Sequence, residues 1–242
     1  MYCGNCFRDN ALVAALRKAG HDVTMIPLYL PLTLDEPDQS NGTPIFFNGV
    51  NVYLEQKSPF YRQAPKWLHR IIGSKSMLNW ASKKVGKTRA EEVGDLTISM
   101  LHGREGNQAR ELEELINWLK EQPKPDVMCL SNSLLLGLAK CLKEAIGAPI
   151  VCLLQNEAPY IDRMPEDLRK EVWKLMIEQA QDVSRFIAPS QYYAERMCEK
   201  LKVPAKRISV VHNGINHEGF EASSVAPNPP VLGYFTRMCE DK

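Results

Sequence analysis

What the sequence lacks narrows it first. No apolar run approaches the ~18 residues that a membrane-spanning helix needs, and no signal-peptide pattern follows Met1. A cytoplasmic location is therefore expected. There is no G-x-G-x-x-G, so the fingerprint of a dinucleotide-dependent oxidoreductase is missing. Internal repeats and low-complexity tracts are missing too. Cys3-Gly-Asn-Cys6 has no second Cys-x-x-Cys or Cys/His pair to complete a tetrahedral zinc site, and no strand before it to make a thioredoxin-like unit. It opens a helix, where a thiol pKa can fall, so a metal or redox role and a loop-lining role both stay open. The seven cysteines are an odd number, and Cys129, Cys141, Cys152 and Cys198 fall in apolar stretches. They read as small buried hydrophobes in a reducing compartment rather than as a disulfide framework.

Acid is absent from one stretch. Residues 57–89 hold nine Lys or Arg and no Asp or Glu, leaving 21 basic and 29 acidic side chains elsewhere, a balance of −8 within a formal net charge of +1. Phe60, Tyr61, Trp67, Leu68, Ile71, Ile72, Met77, Leu78 and Trp80 are interleaved with those cations. Two readings stand: surface helices packing an apolar face on the domain, or a basic-aromatic surface for an anionic membrane or acceptor. No nucleic-acid partner is expected.

What is present reads as one α/β domain. The 242 residues are 44% hydrophobic, enough for a sizeable core. Residues 5–20 predict a helix with Leu12, Ala15, Leu16 and Ala19 on its buried face, cations in the last turn and Gly20 as the stop. Residues 22–28 follow as a short strand. Residues 44–47 and 50–54, split by Asn48-Gly49, carry a hairpin signal. Helical periodicity covers 91–100 and 107–121, with a buried strand at 126–130. A helix at 133–146 ends at Gly147, a strand covers 149–154, and a helix at 165–181 starts on proline. A strand at 185–188, a helix from the Ser190 cap to Leu201 and a strand at 208–211 complete the run. Strand and helix alternate throughout this half, which predicts βαβ units and a parallel sheet.

In such sheets ligands sit beyond the carboxyl ends of the strands. The candidates there are Gly4 and Asn5, Ser131 and Asn132, Gln155, Asn156 and Glu157, Ser190, and Asn213 with Gly214. Ser131, Ser190 and Asn213 serve equally well as caps and turns. Gln155-Asn156-Glu157 leads into Ala-Pro and caps nothing obvious.

The chain then runs through His212-Asn-Gly-Ile215, a Pro-rich spacer at 221–230, and the apolar, strand-like 231–235 that opens a further run to Lys242. Residues 1–220 are expected to form the domain, 221–230 a linker, and 231–242 the start of a second domain that the chain does not complete. The Ala188-Pro-Ser190 turn, the Val-Val-x-Asn-Gly-Ile strand end, the linker and a Gly-x-x-x-Arg-x-x-x-x-Lys run resemble the domain junction of glycosyltransferase family 4. Residues 4–23, ending in Gly20-His21-Asp22-Val23, are similar to that family's first loop and helix.

The resemblance implies the N-terminal, acceptor-side domain of a GT-B fold: a Rossmann-like, mostly parallel sheet with helices on both faces. A strand should precede the first helix, yet Met1-Tyr2-Cys3 is all that does, so that strand is expected to be missing. It implies transfer of a hexose from a nucleotide-sugar to an acceptor with retention of configuration, no cofactor and no divalent metal. In that family the arginine and lysine of the final run hold the donor diphosphate, which places Arg237 and Lys242 in the catalytic role; a solvated surface pair is the plainer alternative. The histidine that the family often carries near the transferred sugar is replaced here by Gln155 or Asn156. The family's paired glutamates lie beyond this chain, which alone is expected to be inactive. A non-catalytic module working through residues 57–89 is the rival reading.

Overall fold

The computed structural model describes residues 4–28, 36–40, 42–47, 49–62, 64–65, 90–214, 219, 221, 225 and 228–233. Among the described residues five α-helices precede the sheet: α1 (Gly4–Lys18), α2 (Gly49–Lys57), α3 (Pro59–Arg62), α4 (Ala90–Leu101) and α5 (Ala109–Lys120). The sheet has four parallel strands, β1 (Met128–Leu130), β2 (Ile150–Leu153), β3 (Arg185–Ala188) and β4 (Ile208–Val210), ordered β1-β2-β3-β4. Met128 lies opposite Ile150, Val151 opposite Arg185, and Phe186 opposite Ile208. Among the described residues no further strand pairs with the outer edge of β1 or β4.

The crossovers are helical. A 3-10 helix (Ser133–Leu138) continues into α6 (Ala139–Ile146), and α7 (Glu157–Asp162) leads to α8 (Glu166–Gln179). The last crossover is α9 (Gln191–Leu201). Two of their ends are set by local signals. Gly147 closes α6 in the left-handed region at φ 71°, where a residue without Cβ carries no steric penalty. Ser190 caps α9 by accepting from Tyr193 N at 3.2 Å. The core is continuous: Leu101, Ile116, Leu136, Ile150, Met176, Phe186 and Met197 are fully buried in one cluster. Each such side chain contributes about 1.5–3 kcal/mol on leaving water.

The α/β class and the parallel sheet are as the sequence predicts, and three earlier expectations fail. Residues 49–57 form α2 instead of a hairpin arm. Among the side chains described there, Asn51, Val52 and Glu55 are buried, a helical stripe rather than a two-residue alternation. Residues 22–28 form no ladder among the described residues; Phe47 N donates to Leu28 O as a single bond, and Thr43 Oγ1 donates to Met25 O. Without a ladder partner the segment is irregular.

The face predicted for α1 is not the one it buries. Leu12, Ala15 and Ala19 are exposed, while Asn10 and Val13 are buried. Polar bonds set that orientation: Asn10 donates to Pro37 O and accepts from Gln39 N, and Arg17 donates to Val23 O. Of the basic stretch, the end of α2 and α3 are seen, and residues 66–89 lie outside the described residues.

Candidate functional site

The carboxyl ends of the strands are joined by one buried side chain. Glu157, the first residue of α7, is 4% exposed. Its Oε1 accepts from Ser133 N at 2.8 Å, just past β1. Its Oε2 accepts from Gln155 N at 2.7 Å, just past β2, and from the Tyr193 hydroxyl at 2.9 Å, in the first turn of α9. That hydroxyl in turn accepts from Ala158 N at 3.1 Å. Burial, and then the nearby charge of Glu157, push the Tyr193 pKa up, so the phenol stays protonated and keeps donating. Three hydrogen bonds to its two oxygens compensate this buried side chain for its lost water.

Around that brace the loops present amides. Gln155 Nε2 donates to Ser131 O at 2.9 Å. Arg8 reaches the same carbonyl from α1 at 3.2 Å and pairs with Asp9 beside it. Burial holds the Asp9 carboxyl above its usual range despite Arg8. Asn132 Oδ1 accepts from Leu134 N at 3.0 Å and caps the 3-10 helix, a role the sequence suggested for its neighbour Ser131, while the cap reading of Ser190 holds. Asn156 is exposed, with Tyr160 (37%) and Tyr192 (70%) on the neighbouring helices.

The structure thus brings Asn132, Gln155, Asn156, Glu157 and Ser190 to one edge. Gly4 and Asn5 open α1 one turn before Arg8. Asn213 and Gly214 are exposed beyond β4, where His212 Nδ1 lies 3.1 Å from Pro189 O as the link back to the Ser190 loop. Glu157 is the departure from expectation, because both its oxygens are engaged inside the protein and it shapes the edge from within. These residues do open a helix, with Pro159 in its first turn, yet Asn156 at the N-cap position makes no side-chain cap bond, so they cap nothing, as read from sequence. Arg237, Lys242 and Cys3 lie outside the described residues.

Three residues of the edge were not singled out from sequence. Arg8 follows Gly4 by four positions, hence on the same helix face, and Tyr193 follows the Ser190 cap by three; those spacings were the available signals. Nothing marked His212.

Chemically, the edge offers neutral amides that donate and accept, which suits a hydroxyl-rich ligand. Among the described residues no group of three His, Cys, Asp or Glu could hold a metal ion, and no helix is long and apolar enough to cross a membrane. Cys152 is fully buried and its thiol pKa is pushed well up by that burial, which leaves it unreactive.

No curated protein and no solved structure matches the chain. The model of Glycosyltransferase Family 4 matches residues 83–218, more than half of the sequence, including all four strands and the Glu157 brace, and the chain belongs to that family.

Proposed function

We propose that this chain supplies the acceptor-side unit of a glycosyltransferase that moves a hexose from a nucleotide-sugar to an acceptor with retention of configuration and without a divalent metal. The observation that carries this reading is the Glu157 brace, which ties the Ser133 and Gln155 amides together at the strand ends of a family 4 domain, with Asn132 and Asn156 next to them in the chain. Sugars are read by paired donors and acceptors, and preorganised amides supply both. Gly4, Asn5, Ser190, Asn213 and Gly214 border the same edge.

In this reading residues 221–230 link to a donor-binding domain that starts at 231–242 and lies over the edge. Arg237 and Lys242 then hold the diphosphate, and fixed cations stabilise the charge that develops as the sugar bond breaks. The 242-residue unit alone is inactive in this reading. The test uses the protein extended through the donor domain, a panel of nucleotide-sugars with and without chelator, and NMR of the product's anomeric centre. One donor should be used, with chelator harmless and configuration retained. Arg237→Ala should lower kcat at least about a hundredfold with acceptor KM nearly unchanged. Full activity in Arg237→Ala would remove the diphosphate assignment, and no turnover with any donor would favour a binding module.

A further inference from the structure

The outer flank of α8 carries features that the strand-end cluster does not use. While Val172, Leu175 and Met176 are buried in the core, Arg169, Lys170, Trp173, Lys174 and Ile177 wall a groove of about 410 Å³ with Lys202 at the end of α9. Small-ligand sites occupy roughly 300–1,000 Å³.

Trp173 is held in place. Its Nε1 donates to Asp162 Oδ1 at 3.0 Å, and the Lys200 ammonium sits 4.9 Å from the ring centroid. Asp162 also accepts from Arg196 at 3.0 Å and from Lys200 at 2.8 Å, so those two cations share one carboxylate. Lys170 pairs with Glu166 on an exposed rim. Lys174 and Lys202 have no carboxylate partner among the described residues, and Glu178 is the one acid in the lining. Positive charge is therefore left over an apolar floor of Trp173 and Ile177.

Lys202 sharpens the point. Its φ of 52° is left-handed, the conformation that helix ends normally give to glycine, and an L side chain there costs on the order of 1 kcal/mol. What this lysine adds over glycine is one wall of the groove. α8 leads to the amino end of β3, and α9 returns to the amino end of β4. Lys202 is consequently at the opposite edge of the sheet from Gln155 and Ser190.

We propose that this groove is a second ligand site, taking a phosphate ester whose phosphate lies between Lys174 and Lys202 and whose organic part rests on Trp173 and Ile177. It stands independently of sugar transfer. A soluble phosphomonoester and the headgroup of an anionic phospholipid both offer this chemistry, and two probes separate them. Phenyl phosphate is titrated against tryptophan fluorescence, and vesicles of phosphatidic acid in phosphatidylcholine, or of phosphatidylcholine alone, are sedimented with the protein. Binding should weaken with salt and fall about tenfold in Lys174→Ala and in Lys202→Gly, and the fluorescence change should vanish in Trp173→Phe. Lys202→Gly is the most telling variant, because relief of the backbone should raise its Tm while its binding weakens. A phenyl phosphate response without vesicle binding assigns a soluble ester; selective pelleting with phosphatidic acid assigns the headgroup. No response to either probe, or unchanged binding in both lysine variants, overturns the site.

Discussion

The Tyr193 hydroxyl is a single oxygen that serves a carboxylate 36 residues away and a backbone amide 35 residues away. Tyr193→Phe removes it and leaves Ala158 N without its partner in a buried setting, at a cost of about 1–3 kcal/mol. Glu157→Gln should cost more, since an amide nitrogen would face a donor at Ser133 N or Gln155 N. Thermal melts should show both variants below the parent, glutamine lower than phenylalanine; equal melting of all three would mean the brace carries no stability. Glu55 is the opposite case, a buried carboxyl that prefers its proton. Burial first, and then Glu111 and Glu114, push it up to about 9, with Arg110, 3.9 Å away, pulling the other way. Glu111 is likewise raised, chiefly by burial. Between the ordinary value of 4.5 and about 9 the folded chain holds a proton that the unfolded chain has lost, so stability falls as pH rises through that window. Glu55→Gln should therefore match the parent near pH 4 and melt higher near pH 8, and melts of equal height at both would sink the assignment. At this scale the Ser190 cap was legible because its partner is three residues away. Whether Glu157 pointed outward or inward was not, because its partners at Ser133 and Tyr193 come from distant parts of the chain.

Elements meet most tightly where glycine allows it. A Cβ on Gly137 would fall 2.1 Å from Met100 O and 2.6 Å from Leu101 O, and one on Gly103 would fall 2.3 Å from Gly137 O. The 3-10 helix after β1 is thereby seated against the end of α4. Gly137→Ala must push these elements apart, costing about 1–3 kcal/mol. Because that 3-10 helix starts at Ser133, whose amide reaches Glu157, the displacement also reaches the braced edge. In denaturant titrations of the protein extended through the donor domain, with parallel transfer assays, Gly137→Ala should lose more activity than its unfolded fraction accounts for. Gly147→Ala, strained only at its own exposed turn, should not; equal activity losses at matched stability would separate the α4 contact from the site. The strand Arg185–Ala188 and the helix behind the Ser190 cap were legible to the residue, since an apolar run and a cap are local signals. Asn48-Gly49 misled because Val50, Val52 and Leu54 alternate as a strand would, while the packing that decides the matter, Glu55 against Arg110 and Glu111, is 55 residues away in sequence. α7 was hidden by Pro159, which a first helical turn accommodates.

For the molecule as a whole, the alternation of apolar runs and amphipathic helices over residues 126–211 was enough to anticipate a parallel sheet, and the family match spans the same stretch. The edge cluster was legible as a set of strand-end polar residues, but not as a set organised around one carboxylate. The strand order β1-β2-β3-β4 repeats the order of the chain, with paired residues such as Met128 and Ile150, or Phe186 and Ile208, separated by 22 positions. Loops of that length close at modest entropic cost. Each strand leaving the ribosome therefore finds its neighbour already made, and the sheet can grow by one strand and one helix at a time during synthesis, with no need to wait for a distant partner. A pause in translation between strands leaves a smaller sheet with a live edge rather than an unformed one, and the order in which codons are read becomes the order in which the domain is built.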